Sequence, residues 1–281
     1  MCLIILQKMS KSGIISLRGD IVNEKSFEKE FTTVWSFPER GNWKTHNSKY
    51  RGNFAPQVPR NIILNYSKEG DFIVDPMMGS GTSLIEAKLL NRRSIGVDIN
   101  PNSIRLAKNK IKFKGNYKYK PAIYQGDVRN LDFINSNSID LIITHPPYFN
   151  IINYSQGKIE NDLSTINDLK KFLKEFSIAI TEFFRILKEN AICAILIGDT
   201  RKNSHYIPLS NYILNIFLKK KFILKDEIIK IQHNCKQDEY WRNKIKKYNF
   251  YLIKHEHLFI FRKPNRYENL KKYKYSSGLN I

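Results

Sequence analysis

The stretch LIITHPPYFN, residues 141–150, combines groups that could do chemistry. Its first residues can form a β-strand, but Pro146 and Pro147 have no amide hydrogen and cannot continue a sheet. The chain must leave the sheet there, and a stiff turn then holds His145 and Tyr148 at the sheet edge. This pattern predicts a catalytic turn in which a hydrogen-bond acceptor lies beside an aromatic ring.

A second candidate site is the glycine-rich stretch VDPMMGSGTSLIEA, residues 74–87. It places Asp75 at the end of a strand, then Gly79 and Gly81, and then the start of a helix. Glycines let the backbone approach a ligand closely, and the free amides at a helix start favour an anionic or polar group. The stretch lacks the lysine of a phosphate-binding loop and is not the three-glycine dinucleotide fingerprint. We interpret it as a turn that binds a cofactor.

Two more acids end later strands. Asp98 ends the strand in GVDINP, where an acid can accept hydrogen bonds from ribose hydroxyls, and Asp127 ends the strand in QGDVR. The carboxyl ends of parallel strands meet at one edge of the sheet, where open α/β folds bind ligands. We therefore expect Asp75, Asp98 and Asp127 to converge on one site.

The apolar patterns along the chain predict the elements that position these residues. The predicted strands are 71–75, 93–98, 122–127, 138–145, 191–199, 221–231 and 256–263. The predicted helices are 83–90, 102–111, 169–188 and 209–220. Strict alternation of strands and helices predicts a mostly parallel sheet with helices on both faces. Only an irregular segment separates the last two strands, which predicts an antiparallel pair at one edge.

The two motifs together resemble the paired signature of the DNA amino-methyltransferases. That signature usually reads Asp-Pro-Phe-x-Gly-Ser-Gly-Thr and Ser/Asp/Asn-Pro-Pro-Tyr, and this chain has DPMMGSGT and THPPY. The resemblance spans roughly residues 53–263. It implies an α/β fold with a seven-stranded, mostly parallel doubly wound sheet of the Rossmann-like methyltransferase type and an antiparallel edge strand. It also implies that the cofactor is S-adenosylmethionine.

The resemblance also implies roles for the residues at the strand ends. Asp75, Gly79 and Gly81 would surround the methionine end of the cofactor, Asp98 would bind its ribose and Asp127 its adenine. Residues 53–66 are similar to the family segment that closes over the methionine moiety. Further predicted cofactor-binding residues are Pro56, Pro76, Thr82 and Val128.

The predicted catalytic residues are His145, Pro146, Pro147 and Tyr148. An exocyclic amine on cytosine or adenine is a poor nucleophile because its lone pair is delocalised into the ring. The Pro146 carbonyl and a neutral His145 could accept its two hydrogens and aim the lone pair at the methyl donor. Tyr148 would stack on a base swung out of the helix. A cationic imidazole cannot accept, so transfer should fall as pH drops through the pKa of His145.

The target base is left open because His145 stands where the family usually has Ser, Asp or Asn. The preceding Thr144 resembles the Thr-Ser-Pro-Pro-Tyr version of the motif, which favours cytosine N4 over adenine N6. Two alternatives remain. The chain could be an RNA base methyltransferase of the same fold, or a catalytically inactive relative that binds nucleic acid.

Charge points to the macromolecular partner. The formal net charge is +21, from 47 Lys and Arg against 26 Asp and Glu, and this excess indicates a polyanion, although lysine-rich coding contributes to it. We predict double-stranded DNA as the partner. The predicted nucleic-acid-binding residues are Lys236, Trp241, Arg242, Lys244, Lys246, Lys247 and Arg201.

The gap between Asp127 and His145 is too short for an inserted recognition domain. We therefore expect a methyltransferase domain over residues 53–263, with an N-terminal segment at 1–52 that partly covers DNA or cofactor and a polar basic tail at 264–281. The predicted recognition loops are 148–165, 199–208 and 232–251.

The remaining expectations concern context. Three widely spaced cysteines and no long apolar run predict a cytoplasmic chain without disulfides that does not enter a membrane. A restriction-modification or epigenetic system is expected, with a cognate restriction endonuclease and a homodimer as candidate partners. His233, Cys235, His255 and His257 could ligate zinc, but no paired CxxC supports this, so no metal is predicted.

Overall fold

The computed structural model describes residues 27–149, 154–155, 157–234 and 238–278. The strands are β1 (Val34–Ser36), β2 (Phe72–Asp75), β3 (Arg93–Asp98), β4 (Ala122–Gln125), β5 (Ile139–Thr144), β6 (Leu187–Ile197), β7 (Thr200–Lys202), β8 (His205–Ile207), β9 (Ile223–Ile231) and β10 (His255–Arg262). The helices are α1 (Gln57–Tyr66), α2 (Thr82–Leu89), α3 (Pro101–Lys110), α4 (Leu169–Ile186), α5 (Leu209–Lys219) and α6 (Asp238–Tyr248). Short 3₁₀ helices span Leu163–Thr165 and Leu270–Tyr273.

The main sheet confirms the predicted α/β class. Its strand order is β1-β9-β10-β6-β5-β2-β3-β4. Strand β10 runs antiparallel to both β6 and β9, and the other neighbours are parallel, so the antiparallel pairing predicted for the last two strands is present. Strands β7 and β8 form a separate antiparallel hairpin.

The strand count differs from the prediction of seven, because the main sheet has eight strands. The additional strand is β1, whose three residues pair in parallel with Ile229–Ile231 of β9. A three-residue strand shows too little alternation to stand out in a sequence, and only its central Trp35 is buried. Pairing with β9 is what makes this segment a strand.

The order of the strands creates a crevice at the carboxyl edge of the sheet. From β2 the chain proceeds through β3 to β4 on one side, and then crosses to β5 and β6 on the other. Neighbouring strands β2 and β5 therefore lie at the point where the winding direction reverses. Open α/β sheets bind ligands at this position, because the loops that follow the two strands turn away from each other.

The helices form where the sequence supplies both a cap and an apolar stripe. In α3, Pro101 occupies the first turn and the Asn100 side chain accepts from the Asn102 amide at 2.9 Å. In α4, Asp168 caps the Lys171 amide at 2.7 Å. The buried residues of α4 recur at helical spacing and face the core, namely Phe172, Phe176, Ala179, Ile180, Phe183 and Ile186.

The segment before α1 is fixed to the domain by a buried carboxylate. Glu86 of α2 is fully buried and accepts from Trp43 Nε1 and Arg60 Nη1, each at 2.7 Å. His46 Nε2 lies 2.7 Å from the same carboxylate. These contacts place Tyr50, which follows in the chain, next to the glycine turn after β2.

In the part of the chain that the structure describes, no helix combines the length and the apolar character needed to cross a bilayer.

Candidate active site

A cavity opens at the carboxyl ends of β2, β3, β4 and β5, and the empty space of about 790 Å³ at this site includes volume open to solvent. Of the predicted cofactor-binding residues, six line it: Pro76, Gly79, Thr82, Asp98, Asp127 and Val128. His145 and Pro147 of the predicted catalytic turn line the same cavity. The structure therefore brings the two sequence motifs, which are about 70 residues apart in the chain, to one space, as the winding of an open α/β sheet requires.

The glycine turn has the backbone geometry that its sequence predicts. Gly79 has φ +50° and Gly81 has φ +80°, a region that side chains other than glycine rarely occupy. A Cβ atom on Gly79 would lie 3.0 Å from the Tyr50 ring, inside the space that the cavity shares with this ring. The missing side chain at Gly79 thus keeps the cavity open beside the backbone.

Asp75 lies beneath the turn. It is 1% exposed and is not among the residues that line the cavity. It accepts hydrogen bonds from the Met77 amide at 3.2 Å and from the Ser83 hydroxyl, and burial raises its pKa to about 7. In this structure Asp75 shapes the turn by holding both of its ends. Pro56 and Gly81 also lie outside the lining, Pro56 directly before α1 and Gly81 directly before α2.

Asp98 faces the cavity with its carboxylate already oriented. It accepts from the amides of Gly79 at 2.9 Å and Asn100 at 2.8 Å. Burial raises its pKa to about 6, and the two amide bonds oppose that effect. At pH 7 most of this carboxylate is ionised and can accept from the hydroxyls of a sugar.

Asp127 is held by a partner that the sequence analysis did not identify. Arg129 donates through Nη2 and Nε to Asp127, at 2.6 Å and 3.0 Å, and also pairs with Glu175 of α4. The fork of Arg129 therefore fixes the carboxylate at the mouth of β4. The QGDVR sequence contained this arginine, but only the fold shows that it turns back onto Asp127.

The residues around the cavity fit S-adenosylmethionine. The turn at Gly79 admits a ligand close to the backbone, and the carboxylates of Asp98 and Asp127 offer acceptors for hydroxyl and amino hydrogens. Apolar walls for a purine ring come from Met77, Ile99, Val128 and Leu163. Asp98 and Asp127 would hold the ribose and the adenine.

His145 is part of a buried chain of hydrogen bonds. Its Nε2 lies 2.6 Å from the Tyr148 hydroxyl, which donates to Glu256 Oε1 at 2.7 Å. Lys230 Nζ donates to Glu256 Oε2 at 2.8 Å. The Phe54 ring packs edge-on against the imidazole, with the ring centroids 5.3 Å apart.

Burial lowers the pKa of His145 to about 4, although the nearby Glu256 carboxylate acts in the opposite direction. The imidazole is therefore neutral at physiological pH. Its Nδ1 atom is buried, and no hydrogen-bond partner for it lies among the described residues. A neutral imidazole donates at one nitrogen and accepts at the other, so the direction of the contact at Nε2 decides whether Nδ1 accepts or donates.

Pro146 and Tyr148 of the catalytic turn are less accessible than a surface on which a base could stack. Pro146 is buried, and the Tyr148 ring packs against Gly198 at the end of β6, where a Cβ atom would clash with it. Tyr148 does not line the cavity. Stacking of a base on Tyr148 stays a prediction, whereas its hydroxyl has a defined place in the hydrogen-bond chain.

Sequence reasoning missed Glu256 and Lys230. Glu256 lies between His255 and His257, for which the sequence analysis considered zinc binding and favoured structural or DNA-facing roles. Alternation in β10 puts Glu256 on the opposite face of the strand from those two histidines. Lys230 is the residue of β9 paired with Glu256 across the strands. The signal available in the sequence was an acid at the start of the apolar run EHLFIFRK, and the structure leaves this acid only 6% exposed.

The two histidines of β10 lie on the other face of the sheet. His255 and His257 have ring centroids 5.0 Å apart. His257 lies 2.7 Å from Glu227 and 3.3 Å from Asp199, and although burial lowers its pKa, the two carboxylates give a net increase. Cys235 lies outside the described residues. Among the described residues, no three His, Cys, Asp or Glu side chains are grouped as metal ligands.

Most of the predicted nucleic-acid-binding residues lie on α6. Arg242, Lys246 and Lys247 are exposed, and Trp241 and Lys244 are half-buried. Lys236 lies outside the described residues. Arg201 of β7 stacks on Phe250 at 4.7 Å and donates to the Tyr251 carbonyl at 2.7 Å, so it ties the β7–β8 hairpin to the segment after α6.

We expect neutralisation of Lys244, Lys246 and Lys247 to weaken DNA binding and to flatten its salt dependence. Each phosphate contact removed lowers the slope of log affinity against log salt by about 1, so a triple glutamine variant should lose about 2 to 3. The control is the triple glutamine variant of Lys170, Lys171 and Lys174, exposed lysines of α4. Fluorescence anisotropy at several salt concentrations measures both, and equal slopes would show that α6 is merely solvated.

Comparisons with known proteins complete the description of the site. The profile of a family described as DNA methylase matches residues 5–109 and 139–279. A profile described as RMKL-like, methyltransferase domain matches residues 62–189.

Individual relatives match shorter parts of the chain. The type II methyltransferase M2.DpnII of Streptococcus pneumoniae is 34% identical over 96 residues, which is 33% of this chain and 34% of that protein. A tRNA (guanine(10)-N2)-dimethyltransferase of Methanocaldococcus jannaschii is 31% identical over 140 residues, 46% of this chain and 38% of that protein. The alignments thus span little more than a third of these relatives.

Among solved structures, a SAM-dependent methyltransferase from Methanosarcina mazei has a similar fold. Its TM-score is 0.51 at 18% sequence identity, over 72% of this chain and 97% of that one. At this level of identity the similarity concerns the arrangement of the sheet and helices.

Proposed function

Because the chain belongs to the DNA methylase family, we propose that it transfers a methyl group from S-adenosylmethionine to an exocyclic amino group of a DNA base. The observation that carries the proposal is the single cavity lined by the glycine turn, by two strand-end acids and by His145. A cofactor bound against Asp98 and Asp127 would share this space with the hydrogen-bond acceptor for the target amine.

The family assignment confirms two predictions made from the motifs. The resemblance to the DNA amino-methyltransferases is confirmed by the family match, and S-adenosylmethionine is confirmed as the cofactor of this family. When bound, S-adenosylmethionine supplies an electrophilic methyl group on its sulfonium sulfur.

The residues of this chain act on the amine. In the proposal, His145 Nδ1 and the Pro146 carbonyl each accept one hydrogen of the amino group. The lone pair of the amine nitrogen is then drawn out of conjugation with the ring and directed along one line. An imidazole with a pKa of about 4 is a weak base, so it contributes by hydrogen bonding and does not hold the released proton at neutral pH. The proton that the amine loses on methylation would pass to water.

The target base must leave the duplex to reach His145. The His145 side chain is 9% exposed and lines the cavity. A base that is stacked inside a double helix cannot enter this cavity. The Thr-His-Pro-Pro-Tyr sequence favours cytosine N4 over adenine N6. The proposal includes a restriction-modification or epigenetic role in the cytoplasm, with double-stranded DNA, a cognate endonuclease and a second copy of the chain as candidate partners.

A second candidate function is methylation of an RNA base. It is favoured by the similarity to tRNA (guanine(10)-N2)-dimethyltransferases, which extends over 46% of this chain in one of them. The amino group of guanine is also an exocyclic amine, so the same pair of acceptors would serve it. The exposed basic residues of α6 suit either nucleic acid, since both present phosphates.

Methylome sequencing tests the proposal. The chain is expressed in a host without endogenous DNA base methylation, and genomic DNA and tRNA are compared with those of the same host without the chain by long-read sequencing and nucleoside mass spectrometry. We expect methylated cytosine or adenine at one short DNA sequence, and none when His145 is replaced by alanine. Methylated guanine in tRNA with unmodified DNA would establish the second candidate, and no new methylation in either would leave an inactive relative.

A further inference from the structure

The hydrogen-bond chain behind His145 has a direction that follows from its members. Lys230 can only donate, and an ionised Glu256 can only accept. Burial alone would raise the pKa of Glu256, but Lys230 and the other polar neighbours lower it to about 2, so it is ionised at neutral pH. The Tyr148 hydroxyl lies 2.7 Å from Glu256 Oε1 and must donate its hydrogen bond to this carboxylate.

The direction of the Tyr148 hydrogen decides the tautomer of His145. Once the hydroxyl hydrogen points to Glu256, the hydroxyl oxygen can only accept from His145 Nε2, 2.6 Å away. Nε2 therefore carries the imidazole proton, and Nδ1 keeps its lone pair. Nδ1 is the buried nitrogen for which the described part of the chain provides no partner, on a side chain that lines the cavity.

We propose that Glu256 and Lys230 are positioning residues that hold His145 as the Nε2–H tautomer, so that Nδ1 is the acceptor for the amino group of the target base. The inference rests on the proposed function for the identity of that amino group. In the opposite tautomer, Nδ1–H would point a hydrogen at a group that must itself donate, and the contact would be repulsive.

Lys230 is expected to decide how a glutamine side chain would be oriented if it replaced Glu256. In Glu256→Gln, the amide oxygen would turn to Lys230, which needs an acceptor. The amide NH₂ would then face Tyr148 and donate to its oxygen. The Tyr148 hydroxyl would then donate a hydrogen bond to His145 Nε2, and the imidazole would change to the neutral Nδ1–H tautomer. The side chain at position 256 would keep almost the same size.

Replacing Lys230 in the Glu256→Gln variant should restore part of the Nε2–H tautomer of His145. In Lys230→Met together with Glu256→Gln, the amide is free to turn its oxygen back to Tyr148. The side chains of the Lys230–Glu256 pair are 14% and 8% exposed, and a purely structural role for the pair predicts instead that the second substitution adds to the loss of activity.

The tautomer can be read directly by nuclear magnetic resonance of protein labelled with ¹⁵N-histidine. The chain has six histidines, and the His145 signals are those that disappear in His145→Ala. We expect the proton of His145 on Nε2 in the natural chain, on Nδ1 in Glu256→Gln, and on Nε2 in part of the population of the double variant. Glu227→Gln is the matched control, since that carboxylate faces His257 and not His145.

Methyl transfer to an unmethylated phage genome, which presents every short recognition sequence, gives the second measurement. Glu256→Gln should lose about tenfold or more in single-turnover rate with little change in cofactor affinity, and the double variant should regain about threefold or more. Thermal unfolding of each variant verifies that it is folded.

The outcomes separate this inference from the proposed function. A proton on Nδ1 in the natural chain, or a proton that stays on Nε2 in Glu256→Gln, overturns the inference whatever the activity. A natural chain that methylates no nucleic acid overturns the proposed function and the assigned target of Nδ1, while the spectra still decide whether Glu256 sets the tautomer.

Discussion

Replacement of His145 by alanine is expected to lower the single-turnover rate of methyl transfer by about 100-fold or more. The imidazole lines the cavity and supplies an acceptor that engages the amine as its lone pair localises, so the loss falls on the transition state. Affinity for cofactor and for DNA should change little, since the proposed cofactor contacts are made by the glycine turn, Asp98 and Asp127 and the proposed DNA contacts by α6. His145→Ser should keep partial activity, because a hydroxyl can also accept.

The pH dependence of the same reaction distinguishes a buried imidazole from an ordinary one. An unperturbed histidine has a pKa of about 6.5, so the rate of methyl transfer would fall as pH drops through that region, which would give an acid limb there. Burial lowers the pKa of His145 to about 4. Because the neutral form is the active one, the His145 contribution should be fully present above that value and lost as pH falls through it.

The test is to measure single-turnover rates from about pH 8 down to the lowest pH at which the protein stays folded. We expect no His145-dependent loss around pH 6.5, and the serine variant should share the natural profile down to the onset of that limb. An alanine variant with the natural rate would show that another group accepts from the amine. A limb near pH 6.5 that vanishes in the serine variant would show that the imidazole is solvated during transfer.

The second large effect is expected at Gly79. Gly79→Val should weaken S-adenosylmethionine binding at least tenfold, about 1.4 kcal/mol. A side chain there must adopt φ +50°, and its Cβ would meet the Tyr50 ring at 3.0 Å. The added methyl groups would therefore occupy the cavity where the cofactor approaches the backbone, and the Gly79 amide would be displaced from Asp98.

Gly70→Val is the matched control for backbone strain. Gly70 has φ +82°, and apart from its chain neighbours the described residues bring only the Tyr119 hydroxyl oxygen within 4 Å of a Cβ there, at 3.3 Å. This loop precedes β2 and does not line the cavity. Calorimetric titration with S-adenosylmethionine should show near-natural affinity for Gly70→Val and a large loss for Gly79→Val. Equal affinities in the two folded variants would remove the glycine turn from the cofactor site.

Local sequence was sufficient for the elements and motifs with short-range causes. The apolar strands ending at Asp75, Asp98 and Thr144 lie where their patterns predict them, because a buried parallel strand is a continuous apolar run. The two prolines after Thr144 end β5, since neither can donate to a neighbouring strand. Gly79 and Gly81 have the positive φ values that their spacing indicates.

The convergence of these motifs also followed from the sequence. Alternating strands and helices wind in one hand, so the carboxyl ends of parallel strands must share an edge. Asp98, Asp127 and His145 line one cavity for this reason. Their occurrence in a single site required no knowledge of any contact between side chains.

Contacts between distant segments could be decided only by the tertiary structure. β1 exists because β9 offers an open edge to Val34–Ser36. Arg201, which the sequence suggested for DNA, is engaged by Phe250 and Tyr251. None of these partners is determined by the local pattern around the residue concerned.

The hydrogen-bond chain behind His145 depends most strongly on the fold. Tyr148 and Glu256 are 108 residues apart, and Lys230 meets Glu256 only because β9 and β10 pair in one register. A one-residue slip in that register would send Glu256 to the other face of the sheet. The sequence determined that a histidine follows β5, and the packing of β10 beside β6 placed Glu256 within hydrogen-bond distance of the Tyr148 hydroxyl that contacts its Nε2.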